Sequence, residues 1–197
     1  MFMKIAIDLD GTIFSCNSFL YRFINRINPN LSSRTLRFCE IDKEEERNQS
    51  VLSKSIRFFN HEYYQEIEDA TSIINKWNKL GHDIIILSSR PSWRVLRASV
   101  LNWLDNYAID FTMLVVACNN KAEFCKKYGV DVLIDDKLSV CKEVEGLGTK
   151  TVCLLGEENT SKVKSPVKIV DSWRGVDKAV QQIMDKKILK KIEDMEK

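Results

Sequence analysis

The feature that most constrains the fold is an alternation of apolar, β-branched runs with amphipathic helical patterns after residue 69. Such runs lie at 83–87, 111–117, 130–134 and 151–155, and another opens the chain at 4–9. Apolar residues with helical spacing separate them at 93–106, 121–128 and 138–145. Charge rarely interrupts the runs, which is typical of strands buried on both faces of a parallel sheet. The alternation predicts βαβ units and an α/β fold.

Two further elements are predicted to complete this core. A short strand at 167–170 and a last helix at 176–183 follow the fifth apolar run. Beyond residue 185 the chain is rich in Lys and Glu, which predicts either a solvated helical end or a frayed tail. We therefore expect a core formed by residues 1–14 and 69–185, with a charged C-terminal tail at 186–197.

Residues 15–68 interrupt the alternation directly after the first strand. They contain helical patterns and no convincing strand, so we predict a small helical cap above the strand ends. The cap contains several aromatic residues: Phe19, Phe23, Phe38, Phe58, Phe59, Tyr63 and Tyr64. Their rings could stack on a nucleobase, or they could form the apolar core of the cap. Its arginines, Arg22, Arg34, Arg37 and Arg57, could contact a substrate or lie on a solvated face.

Composition limits the partners that this chain can have. The formal net charge is +2 over 197 residues, so no global attraction to nucleic acid is expected. No apolar run approaches the roughly 20 residues that span a bilayer. The 6 cysteines form no Cys-x-x-Cys pair, and we expect reduced thiols in a cytoplasmic protein.

Polar side chains follow the predicted strands at the point where each strand ends. The first strand is followed by Asp8 and Asp10, and the strand at 132–134 is followed by the acidic pair Asp135 and Asp136. The strand at 84–87 is followed by three polar residues: Ser88, Ser89 and Arg90. Lys121 opens the predicted helix at 121–128, which precedes the strand at 132–134. Because parallel strands share one carboxyl edge, these groups should converge.

This set of residues suits phosphoryl transfer. An aspartate carboxylate can attack phosphorus, and a lysine can hold the phosphate oxygens. Neighbouring acids repel each other unless a cation intervenes, and Mg²⁺ prefers such oxygen ligands. Lys126 and Lys127 are alternatives to Lys121, and Lys137 is a weaker one. Asp136 could also serve only to cap the helix that follows it.

These motifs resemble those of the haloacid dehalogenase-like superfamily, and they follow one another along the chain in the same order as in that superfamily. Its first motif, an apolar strand followed by DxDGT, is matched by residues 8–12. Its strand-ending Ser or Thr is matched by Ser88, its lysine by Lys121, and its acids after a strand by Asp135 and Asp136. The resemblance covers residues 1 to about 155. It implies a Rossmann-like three-layer core with a parallel sheet of strand order 3-2-1-4-5.

The resemblance also implies roles for the residues. Asp8 is expected to be the nucleophile and Asp10 the general acid and then base, with Ser88 and Lys121 as the other catalytic residues. The ligands of Mg²⁺ would be Asp8, Asp135 and the backbone carbonyl of Asp10. The expected phosphate-binding set is Asp8, Leu9, Asp10, Gly11, Thr12, Ser88, Ser89 and Lys121. Arg90 and Asp136 are expected to support this set.

Within that superfamily the chain looks similar to the 5′(3′)-deoxyribonucleotidase-like group, on residues 121–136 (KAEFCKKYGVDVLIDD) and the short insert. The implied activity is a magnesium-dependent phosphomonoesterase acting through an aspartyl-phosphate, with a nucleotide as the expected small substrate. A sugar phosphate or a nucleic-acid end is the alternative substrate. A non-catalytic regulator or scaffold that retains the fold is the alternative of another class.

Overall fold

A computed structural model describes residues 2–16, 64–89, 94–155 and 167–196. The strands are β1 (Lys4–Ile7), β2 (Phe14–Cys16), β3 (Tyr64–Glu66), β4 (Asp83–Leu87), β5 (Met113–Val115), β6 (Val132–Asp135), β7 (Lys150–Leu154) and β8 (Lys168–Val170). The helices in these ranges are α1 (Ala70–Lys79), α2 (Arg94–Asn106), α3 (Lys121–Tyr128), α4 (Leu138–Gly146) and α5 (Trp173–Met195). Strands and helices alternate from α1 onward until β7, as the sequence predicts.

A parallel sheet of 6 strands forms the centre of the molecule, in the order β5-β4-β1-β6-β7-β8. The first five core strands therefore lie in the predicted order 3-2-1-4-5, and β8 extends the sheet by one strand. Ala6 on β1 is paired with Ile85 on β4 and with Leu133 on β6. The central position of β1 places its carboxyl end between those of β4 and β6, where the polar residues follow.

Both faces of the sheet are covered, which confirms the three-layer α/β architecture. Ile5 and Ile7 belong to the larger apolar cluster, which also contains Trp77 of α1 and Trp173 of α5. Ala6 points to the opposite face and packs in the cluster formed with α3 and α4. Burial on both sides explains why the strands are continuous apolar runs, since each buried aliphatic side chain contributes about 1.5–3 kcal/mol.

A short antiparallel ribbon differs from the sequence prediction. The interval 15–68 has no convincing strand pattern, yet β3 pairs with β2, with Phe14 opposite Glu66. β3 has 3 residues and its partner lies about fifty positions earlier, so neither periodicity nor a local turn reveals it. Residues 17–63, which carry nearly all of the predicted cap, lie outside the described residues, and the cap remains a prediction.

The last helix is longer than its predicted range of 176–183. α5 has 23 residues and begins after Ser172, whose hydroxyl accepts a hydrogen bond from the backbone N–H of Gly175 at 3.3 Å. Its second half is the charged segment, which remains helical and largely exposed. Among the described residues, no helix is both long and apolar enough to cross a membrane.

Candidate active site

Three sequence-predicted residues lie together at the carboxyl edge of the sheet. Asp8 follows β1, Ser88 follows β4, and Asp135 ends β6. The backbone N–H of Asp8 donates to the carbonyl of Ile134 at 2.9 Å, and that of Ser88 donates to the carbonyl of Val115 at 2.9 Å. These bonds continue the ladders past the strand ends and hold the residues on three adjacent strands, β4, β1 and β6.

Lys121 joins two of these strand ends. Its Nζ lies 2.5 Å from Oδ1 of Asp8 and 2.6 Å from Oδ2 of Asp135. The ammonium is well buried, with 8% of the side chain exposed, and Asp135 is fully buried. The other candidates, Lys126 and Lys127, lie on the exposed part of α3. The structure therefore brings Lys121, of the candidate lysines, into contact with the acids.

The start of α3 positions this lysine. Asn120 caps the helix, with its side chain accepting a hydrogen bond from the backbone N–H of Glu123 at 2.8 Å. Such a cap fixes where the helix begins, because it satisfies an N–H group that has no partner within the helix. Lys121 is the first helical residue, so the cap determines where its side chain leaves the backbone.

Burial and charge shift the pKa values of this group. Burial raises the pKa of Asp8 to about 7; Lys121 opposes the rise and the charge of Asp135 adds to it. Burial lowers the pKa of Lys121, but Asp8 and Asp135 outweigh burial and raise it above its usual range. The two acids therefore favour the charged form of Lys121, whereas burial favours the protonated form of Asp8 in the absence of a further cation.

Asp136 belongs to an acidic cluster with Asp8 and Asp135. One carboxylate oxygen from each residue lies within 4.8 Å of the others. Burial, followed by the charge of Asp135, raises the pKa of Asp136 to about 6. Its Oδ1 is buried and has no hydrogen-bond partner among the described residues. These three carboxylates could hold a metal ion.

Asp136 was predicted only to support the site. Adjacent residues of a regular strand point in opposite directions, so a continued strand would direct Asp136 away from Asp135. The turn after β6 removes that alternation: the backbone N–H of Lys137 donates to Oδ1 of Asp135 at 2.8 Å. The acidic pair in the sequence indicates this position, but the place of Asp136 in the cluster depends on the turn.

The turn after Asp8 brings the backbone close to Asp136. Gly11 has a φ of +82°, and a Cβ built on it would lie 2.3 Å from Oδ2 of Asp136. Its N–H donates to the carbonyl of Phe14 at 2.8 Å. Gly11 therefore serves the predicted site by allowing close approach of the turn, while its own amide is engaged within the turn.

Leu9 and Thr12 face the protein interior. Both side chains are fully buried, and Leu9 packs in the larger apolar cluster. The carbonyl of Thr12 accepts a hydrogen bond from Nε1 of Trp173 at 2.8 Å, which ties the turn to α5. Any contact of Leu9 with phosphate would therefore come from its backbone.

The remaining predicted residues lie around this centre. Asp10 is partly exposed and its backbone bridges to Phe14. Ser88 is almost completely buried, and Ser89 beside it is half-buried. Arg90 lies outside the described residues, so its predicted supporting role remains a prediction.

Comparison with known proteins gives similarity at the level of structure. Neither protein-family models nor curated proteins match the chain. A haloacid dehalogenase-like (HAD) phosphatase from Thermococcus onnurineus is similar, with a TM-score of 0.61, 15% identity, and coverage of 90% of this chain and 97% of that chain. An L-2-haloacid dehalogenase has a TM-score of 0.60 at 13% identity, covering 91% of this chain and 100% of that chain.

A third similar structure contains ligands. It is a HAD family enzyme from Bacteroides thetaiotaomicron in complex with magnesium and inorganic phosphate, with a TM-score of 0.56 and 15% identity. The match covers 82% of this chain and 98% of that one. The chain therefore has the fold of HAD phosphatases and dehalogenases. At these sequence identities the similarity shows the fold alone.

Proposed function

We propose that this protein is a magnesium-dependent phosphomonoester hydrolase with Asp8 as its nucleophile. The observation that carries the proposal is the contact of Lys121 with both Asp8 and Asp135 at the carboxyl edge of the sheet. A buried cation between two acids holds positive charge where a phosphoryl group would need it. The fold shared with HAD phosphatases supports the same conclusion.

Magnesium fits the acidic cluster. Asp8, Asp135 and Asp136 offer only oxygen atoms, which Mg²⁺ prefers. One buried oxygen of Asp136 has no hydrogen-bond partner among the residues that the structure describes. The backbone carbonyl of Asp10 is a further ligand implied by the family resemblance. When bound, the ion would neutralise the acids and the phosphoryl oxygens. The similar Bacteroides thetaiotaomicron enzyme binds magnesium and phosphate.

The proposed reaction has two displacements at phosphorus. A carboxylate oxygen of Asp8 forms a bond to phosphorus while the bond to the leaving oxygen breaks, and Asp10 gives that oxygen a proton. Asp10 then takes a proton from water, whose oxygen attacks the aspartyl-phosphate and releases phosphate and the free carboxylate. Lys121 and Ser88 bind the phosphoryl oxygens in both steps.

Asp10 separates this proposal from dehalogenation, which an enzyme of similar fold performs. A leaving alkoxide needs a proton, whereas a leaving halide does not. An acid two positions after the nucleophile therefore favours phosphate esters. We expect turnover of a phosphate ester and no release of halide from a 2-haloacid.

We further propose a mononucleotide as substrate and the cytoplasm as location. The substrate rests on the resemblance of residues 121–136 to deoxyribonucleotidase-like proteins, and the location on the expectation that the cysteines are reduced, buried thiols. A panel of deoxynucleoside and nucleoside monophosphates, sugar phosphates and 5′-phosphorylated oligonucleotides tests the substrate. A higher kcat/KM for a sugar phosphate or an oligonucleotide would replace the nucleotide proposal and leave the reaction type intact.

The reaction is tested by magnesium-dependent hydrolysis of an aryl phosphate. We expect EDTA to abolish turnover, magnesium to restore it, and Asp8→Asn to lower kcat by about a thousandfold or more while circular dichroism stays unchanged. Asp194→Asn, an exposed position on α5, is the matched control and should retain full activity. Unchanged hydrolysis by Asp8→Asn contradicts the mechanism. No turnover of any phosphate ester favours a non-catalytic role.

A further inference from the structure

A second concave region lies at the opposite edge of the sheet from the candidate active site. Its cavity has a volume of about 610 Å³. It is lined by residues at the amino ends of β6, β7 and β8, by the end of α4 and the turn that follows it, and by residues 179–190 of α5. The strands are parallel, so their amino ends are at the edge away from Asp8. This region, here called the lysine cavity, plays no part in the proposed hydrolysis.

Positive charge dominates the lining. The cavity is lined by 5 lysines and 2 acids. The lysines are Lys150, Lys168, Lys186, Lys187 and Lys190, and the acids are Asp131 and Glu145. The excess of positive charge is local, because the whole chain has a formal net charge of only +2.

Both acids are already engaged. Glu145 accepts a hydrogen bond from Oγ1 of Thr151 at 2.5 Å and lies 3.6 Å from Nζ of Lys150. Asp131 is paired with Lys187 and accepts a hydrogen bond from the backbone N–H of Lys4 at 2.9 Å. Neither carboxylate is therefore available to neutralise the other lysines of the cavity.

The other three lysines come from two elements that meet at the cavity. Lys168 begins β8, and Lys186 and Lys190 lie one turn apart on α5. Within the part of the chain that the structure describes, no ion pair is seen for any of the three. Three ammonium groups around one concavity repel each other, and a bound anion would remove that repulsion.

We propose that the lysine cavity binds a small polyanion that carries two or more linked phosphate groups. The lining has an excess of three positive charges, which matches the negative charge of linked phosphates better than that of a single phosphate. The concave shape and the limited volume fit a small molecule, whereas a nucleic acid would need an extended basic surface. Lysine suits this task because it binds phosphate as a point charge with three donors.

The test is calorimetric titration of the full chain with inorganic tripolyphosphate, in EDTA so that metal-dependent turnover cannot consume it. Lys168→Gln/Lys186→Gln/Lys190→Gln removes the three charges for which no ion pair is seen in the described part of the chain. Lys126→Gln/Lys142→Gln/Lys178→Gln removes the same charge from exposed positions outside the cavity. We expect about tenfold or greater weakening in the cavity variant and less than about twofold in the control. Circular dichroism establishes that both variants are folded.

Parallel arms use orthophosphate, pyrophosphate, adenosine triphosphate and a single-stranded DNA oligonucleotide. Affinity that rises from orthophosphate to tripolyphosphate supports the proposal, and the nucleotide arm shows whether an organic group adds to binding. Equal weakening in both variants would mean general electrostatic attraction and would overturn it. The absence of saturable tripolyphosphate binding, or binding of the oligonucleotide alone, would overturn it too. Because binding is measured in EDTA without turnover, it tests this proposal whether or not the protein hydrolyses phosphate esters.

Discussion

Lys121 is buried between two carboxylates, so its charge matters to stability as well as to chemistry. Nζ contacts Asp8 and Asp135, which stay close together because they follow adjacent strands. Removing one partner from a buried ionic group leaves uncompensated charge, and the usual cost is about 3–5 kcal/mol. The lysine that we propose to bind the phosphoryl group therefore also contributes to the stability of the fold.

We predict that Lys121→Met lowers the free energy of unfolding by about 3–5 kcal/mol at pH 7 without metal. The loss should be larger at pH 9, where Asp8 is ionised beside Asp135, than at pH 7, where the carboxyl can take up a proton and relieve the repulsion. Urea denaturation at both pH values measures it. Lys126→Met, on the exposed face of the same helix, should change stability by no more than about 0.5 kcal/mol. Equal stability of the two variants would contradict the buried-charge argument.

Gly11 lies where the turn after β1 comes close to Asp136. Gly11→Ala adds a Cβ at a φ of +82° and 2.3 Å from Oδ2 of Asp136, so the acid must move. Gly129→Ala is a matched control, since its φ is +63° but nothing lies within 4 Å. Both should lose about 1–2 kcal/mol from backbone strain. Gly11→Ala should lose about 1 kcal/mol more and bind magnesium more weakly. Equal losses and equal affinities would show that Asp136 adapts freely.

At the scale of elements, the start of α3 carries Lys121 into the site. Asn120 and Ser172 both cap helices, α3 and α5 respectively, through one bond to a backbone N–H. Only the first cap precedes a residue that contacts the acidic cluster. The two caps can therefore separate a general loss of stability from a loss of positioning.

We predict that Asn120→Ala and Ser172→Ala each cost about 1 kcal/mol of stability. Asn120→Ala should in addition lower kcat by about tenfold, since a small displacement of Lys121 weakens its contact with the phosphoryl group. Ser172→Ala should leave kcat within about twofold. Denaturant unfolding and steady-state kinetics on an aryl phosphate make the comparison. A similar fall of kcat in both variants would mean that the cap does not position Lys121.

For the whole molecule, metal binding should be coupled to pH. Burial raises the pKa of Asp8 to about 7 and that of Asp136 to about 6, from an ordinary value of 3.8. A carboxyl with a raised pKa stabilises the folded state below its ordinary value, and the contribution is lost as pH rises through the folded value. Magnesium binds the deprotonated carboxylates and should therefore replace that lost stability.

We predict that magnesium raises the midpoint of thermal unfolding more at pH 8 than at pH 5. At a hundred times the dissociation constant, the added stability is about 2.7 kcal/mol. Asp135→Asn, which removes one ligand charge, should lose most of the rise. The measurement is the unfolding midpoint with magnesium and with EDTA at both pH values. A rise that is equal at both, or larger at pH 5, would contradict the assignment of the acidic cluster as the metal site.

Much of the fold could be predicted from the sequence because the central strands are buried on both faces. Their apolar runs and the helical patterns between them specify the strands and helices locally, and the strand order came from the family resemblance. β3 could not be predicted, because 3 residues pair with a distant segment and leave no periodic pattern. The length of α5 was underestimated because a solvated helix needs no apolar stripe along its charged half.

The residues that end the strands can be read from the sequence, and a parallel sheet then places Asp8, Ser88 and Asp135 at one edge. The contact of Lys121, rather than Lys126 or Lys127, with the acids follows from the three-dimensional packing, because the register of a helix against a sheet depends on the whole core. The same holds for Asp136, which joins the cluster through the turn after β6, and for the lysines of α5, which meet Lys168 only when the helix lies across the strand ends. Contacts between distant segments leave no local pattern in the sequence. In both the candidate active site and the lysine cavity, such contacts bring the charged side chains together.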